Sequence, residues 1–293
     1  ENGKSFEHRR QWVEDRIHIL SEVFAIDVCA YAVMSNHTHL VLHVNKEKAD
    51  ALSTEDVIQR WHKLYKGTLI SQRYLSPDLR KELHETQIKT VELTAEVWRK
   101  RLFDISWFMR ALNEYIARAA NKEDDCTGHF WEGRFKSQAL LDESALAACM
   151  AYVDLNPIRA KMAKTPETSD HTSIKYRINA ARLGKTPKRL MPFVGNPRQE
   201  MPHGLPFTLP DYLQLVDITS RYIHPNKRGK VQHNLPPILE RLNIEHEHWI
   251  TLTTQFETCF KHAAGKVIHL ELYAQNQHQQ RVQCRHSAMR LLG

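Results

Sequence analysis

With 293 residues, 41 Lys+Arg against 34 Asp+Glu and a formal charge of +7, the chain is long enough to bury one large or two smaller apolar cores unaided by staples. Its five cysteines, Cys29, Cys126, Cys149, Cys259 and Cys284, form no Cys-x-x-Cys pair and no framework spacing, which argues against a disulfide scaffold and for free thiols in a reducing cytoplasm. No apolar run is long enough to cross a bilayer, and the positive charge favours a polyanionic partner, nucleic acid above all.

The opening Glu1-Asn2-Gly3-Lys4 has no apolar signal region behind it, and without an initiator Met an opening element is expected to be missing. From Phe6 to Phe24 the apolar residues Val13, Ile17, Leu20 and Phe24 recur at helical spacing, predicting an amphipathic helix that ends near Val23. The short apolar run 25–34 predicts a buried strand. Ser35-Asn36 is a turn, and 38–44 is a second strand that closes a hairpin.

Ser53 is placed to cap a following helix, with Asp56 reaching back and Val57, Trp61 and Leu64 as its buried stripe. Residues 66–95 are mixed and polar around Pro77, and short helices with a loop are expected there. The clearest helix runs over 106–120, with Phe108, Leu112, Tyr115 and Ala119 on one face, and the polar stretch 121–128 ends it. A further helix is predicted over 143–153, stopped at Asn156-Pro157, with Pro157 opening a short successor. Prolines punctuate the chain beyond about Met162, from Pro166 through Pro197, Pro202 and Pro210, so a boundary falls there and extended connections are expected. Residues 236–242 and 249–264 read as helical. The basic run Lys227-Arg228-Gly229-Lys230 reads as a solvated turn.

The hairpin carries the first chemistry. Strand alternation puts His37, His39, Val41 and His43 on one face and Thr38, Leu40, Leu42 and Val44 on the other, taken as the core face. Two imidazoles spaced by two residues can hold one divalent ion, although a third donor from another element is needed. The plain alternative is a pair of histidines on the wet side of a hairpin.

The segment Met34-Ser35-Asn36-His37-Thr38-His39-Leu40-Val41-Leu42 resembles the histidine–hydrophobe–histidine segment of the single-tyrosine HUH transposases. The run Gly128-His129-Phe130-Trp131-Glu132-Gly133-Arg134-Phe135-Lys136-Ser137, followed by Ala151-Tyr152-Val153-Asp154-Leu155-Asn156-Pro157-Ile158-Arg159-Ala160, is similar to their REP-associated tyrosine transposase branch. The likeness spans roughly residues 5–165. It implies an α+β, ferredoxin-like HUH domain over 1–165, whose antiparallel sheet lacks its first strand here, and a Pro-punctuated, mainly helical extension over 166–293.

The resemblance further implies metal-dependent cleavage and rejoining of single-stranded DNA beside hairpins, with Mg²⁺ or Mn²⁺ as cofactor and a 5′-phosphotyrosine intermediate. His37 and His39 would be the metal ligands and Tyr115 the nucleophile. Where relatives place a polar ligand one turn beyond the tyrosine this chain has Ala119, so Asn121 is the tentative third ligand, with Asn113 or Glu114 as alternatives. Thr38 departs from the usual bulky apolar residue between the histidines.

Two of these assignments keep competitors from the residues themselves. Tyr115 shares a stripe with Phe108 and Leu112, where an aromatic is ordinarily core, while Tyr31 and Tyr152 look less suited to catalysis. In the Gly-His-Phe-Trp run, Trp131 and Phe135 can anchor the turn while Arg134 and Lys136 meet phosphates, or Arg134 can pair with Glu132 or Asp154; a mixed role is expected, with Trp131 beside the cations also a DNA-contact candidate. Arg118 and Lys66, the latter beside His62 and Lys63, are further DNA-contact candidates. Asp154, Asn156 and Arg159 read as structural. The expected protein is a cytoplasmic, nucleoid-associated bacterial DNA transposase without a membrane partner, with a homodimer as one assembly open to it. The competing readings are a domesticated or inactive relative that only binds hairpin or single-stranded DNA, and an unrelated metal hydrolase.

Overall fold

The computed structural model describes residues 5–195, 203–223 and 237–293. The basic run Lys227-Arg228-Gly229-Lys230 and Pro197, Pro202 and Pro236 lie outside them. The architecture is mixed α+β, with a small open antiparallel sheet and a helical extension. The chain divides into two compact units, Glu1–Val28 with Leu42–Phe135, and Cys29–Val41 with Lys136–Gly293. Residue 165 therefore falls inside the second unit.

The first unit begins with α1 (His8–Val23). Its buried positions Val13, Ile17 and Leu20 follow the spacing that predicts the helix, and Phe24 is buried just beyond its end. The strands β1 (Ile26–Val33) and β2 (Thr38–Val44) pair as a hairpin and contribute to both units. Five helices follow: α2 (Lys46–Asp50), α3 (Thr54–His62), α4 (Leu69–Leu75), α5 (Pro77–Arg80) and α6 (Glu85–Leu102). The last helix of the unit is α7 (Ile105–Glu123).

Ser53 and Asp56 form the expected reciprocal cap on α3. The 18-residue α6 replaces the loop and short helices expected over the second half of 66–95. It is held by Val91, Ala95, Trp98 and Leu102, a buried stripe threaded through polar neighbours. On α7 the expected stripe is only half right, since Phe108 and Leu112 are buried but Tyr115 is 47% exposed. That helix also continues past 120, because Asp124 closes it and Arg9 of α1 clamps Glu123 and Asp124 at 2.7 and 2.5 Å.

The second unit adds β3 (Ala139–Leu140), α8 (Glu143–Asp154), α9 (Asn156–Arg159), α10 (Ser173–Arg182), α11 (Leu209–Ile223), α12 (Pro237–Leu242) and α13 (His246–Cys259). It closes with β4 (Ala263–Ala264), which pairs in parallel with β3, then α14 (Val267–Asn276) and α15 (Arg285–Leu291). Ala145, Ala147, Ala148 and Ala151 are fully buried on α8, so α13 packs closely against it. The stretch after Met162, expected to be extended, contains α10 and α11, and Pro210 lies in the first turn of α11, where a missing N–H costs no helical bond.

The two faces of β2 are less distinct than alternation suggests. Val41, on the histidine face, is 3% exposed and belongs to the core of the second unit, whereas Val44, on the opposite face, is 37% exposed. His37 and His43 are exposed, and His39, Leu40 and Leu42 are half-buried.

A buried polar knot braces the same unit. Asp154, at the end of α8, accepts hydrogen bonds from Ser173 Oγ (2.5 Å), Ile174 N (3.0 Å) and Tyr212 OH (2.7 Å). Burial pushes its carboxyl up to about 6, with these donors opposing the shift. The guanidinium of buried Arg177 donates to Cys29 O (2.8 Å) and Met191 O (3.2 Å). Tyr31 is fully buried in β1, as its apolar strand context predicts.

Candidate metal and phosphoryl-transfer site

His37 lies in the turn before β2 and His39 within it, and their rings meet edge to face with centroids 4.8 Å apart. His37 is exposed, and its Nδ1 is 2.7 Å from Asn36 Oδ1. When Nδ1 carries the proton toward Asn36, Nε2 presents a lone pair outward. His39 is mostly enclosed, and burial first, then His37 and Arg159, push its imidazole down to about 4. It is therefore neutral near pH 7, the form in which an imidazole ligates a metal. Glu257 of α13 reaches His39 Nδ1 at 3.4 Å. This is the usual place for a carboxylate that orients a ligating imidazole.

The phenol that accompanies this pair is Tyr152, on α8. Its ring lies 5.8 Å from that of His39, with planes at 76°. Arg159 stacks its guanidinium carbon 3.8 Å above the Tyr152 ring and donates to Tyr152 O (2.6 Å) and Thr253 O (2.9 Å). Burial raises the Tyr152 phenol above its ordinary value, Arg159 opposes the rise and Glu257 adds to it. Within one unit the site thus gathers two imidazoles, a phenol, a guanidinium and a carboxylate. The sequence signal for Tyr152 was present in the Ala151–Ala160 segment, where it reads as part of a structural turn.

As a metal centre, the pair supplies two imidazole donors of the right chemistry for a divalent ion. Among the described residues they form no cluster with a third His, Cys, Asp or Glu in which all ligand atoms lie within 4.8 Å of one another. Glu257 is the carboxylate beside His39. In the first unit Asp27 and His43 also bring a carboxylate and an imidazole together at 3.5 Å, close enough to share a divalent ion. Lys48 (3.1 Å) and Asn45 (3.3 Å) already engage that carboxylate.

The other sequence candidates lie as follows. Tyr115 belongs to the first unit, where Arg16 stacks 4.5 Å from its ring centre. Asn121, also in that unit, uses its side chain to close the end of α7, donating to Gly128 O (3.1 Å) and accepting from Cys126 Sγ (3.8 Å). Trp131 is half-buried and donates to Asn113 O (2.9 Å), so it does anchor its turn. Phe135, expected to help, is 37% exposed. Arg134 and Lys136 are exposed, and Arg134 forms no ion pair with Glu132 or Asp154 among the described residues. Lys66 is exposed, and Arg118 pairs with Glu114. No helix among the described residues is long and apolar enough to cross a membrane.

No protein-family model, no curated protein and no solved structure matches this chain.

Proposed function

We propose that the chain cuts and rejoins single-stranded DNA beside hairpins, using the histidine pair and the Tyr152 phenol, in the manner of the single-tyrosine HUH transposases that its motifs resemble. The observation that carries this reading is the meeting of His37, His39 and Tyr152 in one unit. In the reaction the Tyr152 oxygen attacks a DNA phosphorus, the bond to the 3′ oxygen breaks, and that oxygen leaves as a 3′-hydroxyl while a 5′-phosphotyrosine forms. Rejoining reverses these bonds, so the phosphoester energy is conserved.

The phenol is a weak nucleophile, and burial weakens it further. Arg159, stacked on its ring, favours the phenolate and offsets phosphate charge. Mg²⁺ or Mn²⁺ held by His37 and His39 would supply positive charge to a nonbridging phosphate oxygen. Glu257, 3.4 Å from His39 Nδ1, is placed to orient that imidazole. A binding-only protein is the second reading, favoured because, among the described residues, no third His, Cys, Asp or Glu completes a donor cluster with both histidines.

The test incubates the protein with hairpin-bearing single strands, with and without Mn²⁺, and looks for an adduct that survives denaturation. Tyr152→Phe is expected to abolish the adduct and Tyr115→Phe to leave it. Persistence of the adduct in Tyr152→Phe defeats the assignment, and absence of any adduct across a panel of hairpins and metals leaves the binding-only reading in its place.

A further inference from the structure

The first unit contains a cleft of about 940 Å³ that the proposed chemistry does not use, bounded by α1, α3, α6, α7 and the turn after α3. Its inner wall is aromatic. Trp61 stacks on Trp98 with centroids 5.5 Å apart and planes at 10°, and Tyr65 stacks on Trp61 at 4.5 Å. Trp107 meets Trp61 edge-on at 5.6 Å. The rim is cationic, with Arg16, Arg101, Arg110, Arg118 and Lys122 facing a single carboxylate, Glu114.

That carboxylate is divided between Arg118 and Arg110. Arg101 spends its guanidinium on the Trp107 face at 4.2 Å, and neither it nor Lys122 has an ion pair among the described residues. Guanidinium groups stacked on indoles are held flat and only partly neutralised, ready to donate bidentate hydrogen bonds to phosphate oxygens. Tyr115 stands at the rim with 47% of its surface exposed and Arg16 on one face at 4.5 Å. One face is thus fixed by a cation, and the ring remains open to a planar partner.

We propose that this cleft captures unpaired nucleotides of a single strand, with a base stacked on Tyr115 and the flanking phosphates on Arg101, Arg118 and Lys122. A cation excess alone would serve any polyanion. The added aromatic surface selects one that carries planar groups, and a duplex hides the faces of its bases inside its own stack. An acidic peptide supplies charge without those faces. The inference deepens the single-strand reading above by saying where the strand is held, but its test is a binding measurement in which cleavage plays no part.

The full-length chain is titrated, in EDTA, against three fluorescein-labelled probes of one length: oligodeoxythymidylate, the corresponding abasic oligomer, and a duplex. The thymidylate is expected to bind about tenfold or more tighter than the abasic strand, from at least one stacked base. Tyr115→Ala should remove about that factor while Tyr115→Phe keeps it, because stacking needs the ring and not the hydroxyl. Arg101→Gln should weaken both single strands and lower the salt slope by about 0.7.

Equal affinity for the abasic strand, or unchanged binding in Tyr115→Ala with its melting temperature preserved, overturns the proposal and leaves only nonspecific electrostatic adhesion. A protein that binds thymidylate through Tyr115 yet never forms an adduct keeps this inference and loses the cleavage reading. One that forms the adduct while Tyr115→Ala binds normally does the reverse.

Discussion

The His39 imidazole stands edge-on to the Tyr152 ring, with centroids 5.8 Å apart, at the place where β2 lies against the helical core of the second unit. Both groups are largely buried there, and burial disfavours the charged form of each. The contact also decides which tyrosine shares a compact unit with the histidine pair. Arg159 and Glu257, the charged groups that flank it, then become the residues through which its electrostatics can be tested.

Stability in acid should depend on His39. His39 is lowered from 6.5 to about 4 in the folded chain, chiefly by burial. Between those values the unfolded chain binds the extra proton, so its stabilising effect is complete above about pH 6.5 and is lost as pH falls toward 4. At about 1.4 kcal/mol per pKa unit, the total is about 3 kcal/mol. His39→Gln should flatten this part of a urea-unfolding profile against pH, and an unchanged slope would show that another group sets it.

Glu257→Gln tests whether the carboxylate orients His39. The amide keeps the shape but accepts the imidazole N–H less strongly, so Mn²⁺ affinity measured by calorimetry should fall about 10- to 100-fold, as for other outer partners of metal ligands. Because Glu257 is exposed, stability should hardly change. Undiminished Mn²⁺ binding would remove Glu257 from the site.

The sequence makes the hairpin legible because β1 is continuously apolar and β2 places His37 and His39 two residues apart. Which face of β2 is covered was not legible. Alternation assigns two faces but does not say which one a distant helix will protect, and Val41 rather than Leu40 or Leu42 entered the core. Tyr152 was obscured for a related reason. Its neighbours Val153 and Leu155 pack in the core, so its own half-exposed position emerges only when α8 is set against β2. The α6 stripe of Val91, Ala95, Trp98 and Leu102 was diluted by charged residues that face outward.

Gly67 offers a test of the cleft's rigidity. Its φ is +70°, and a Cβ there would lie 2.1 Å from His62 Nε2. That nitrogen is within 3.0 Å of Ser71 Oγ, which links α3 to α4. Gly67→Ala should therefore cost about 1–2 kcal/mol from the left-handed backbone alone, with a further loss from displaced His62. A thermal shift of the opposite sign would mean that the turn relaxes freely.

Asp154 should show the opposite pH dependence to His39. Burial raises its carboxyl from 3.8 to about 6, so the folded chain holds the proton more tightly. This stabilisation is fully present below about pH 3.8 and is lost as pH rises through 6, by about 3 kcal/mol in all. Asp154→Asn should remove that dependence while its Oδ1 still accepts from Ser173 and Ile174 and its amide NH2 donates to the Tyr212 oxygen. Asp154→Ala should instead cost about 3–5 kcal/mol, because it strands buried donors and a neighbouring cation. Equal unfolding profiles for the two variants would show that the hydrogen bonds do not hold the knot together.

Arg159 joins the core to the chemistry, and Arg159→Lys separates its two roles. Its Nη1 binds Tyr152 O at 2.6 Å and Thr253 O at 2.9 Å, while the guanidinium plane lies 3.8 Å from the Tyr152 ring centre. A lysine keeps the charge but cannot stack flat while spanning both carbonyls. Losing one buried bond should cost about 1–3 kcal/mol in urea unfolding. Arg159 also holds the Tyr152 phenol lower than burial alone would, by its charge and by a side-chain hydrogen bond, and loss of that bond should make the variant titrate the phenol at higher pH. Ultraviolet difference titration against Tyr152→Phe isolates the signal. A purely structural arginine would lower stability and leave the phenol where it was, whereas a positioning role requires both changes, with slower adduct formation and unaltered binding of single-stranded DNA.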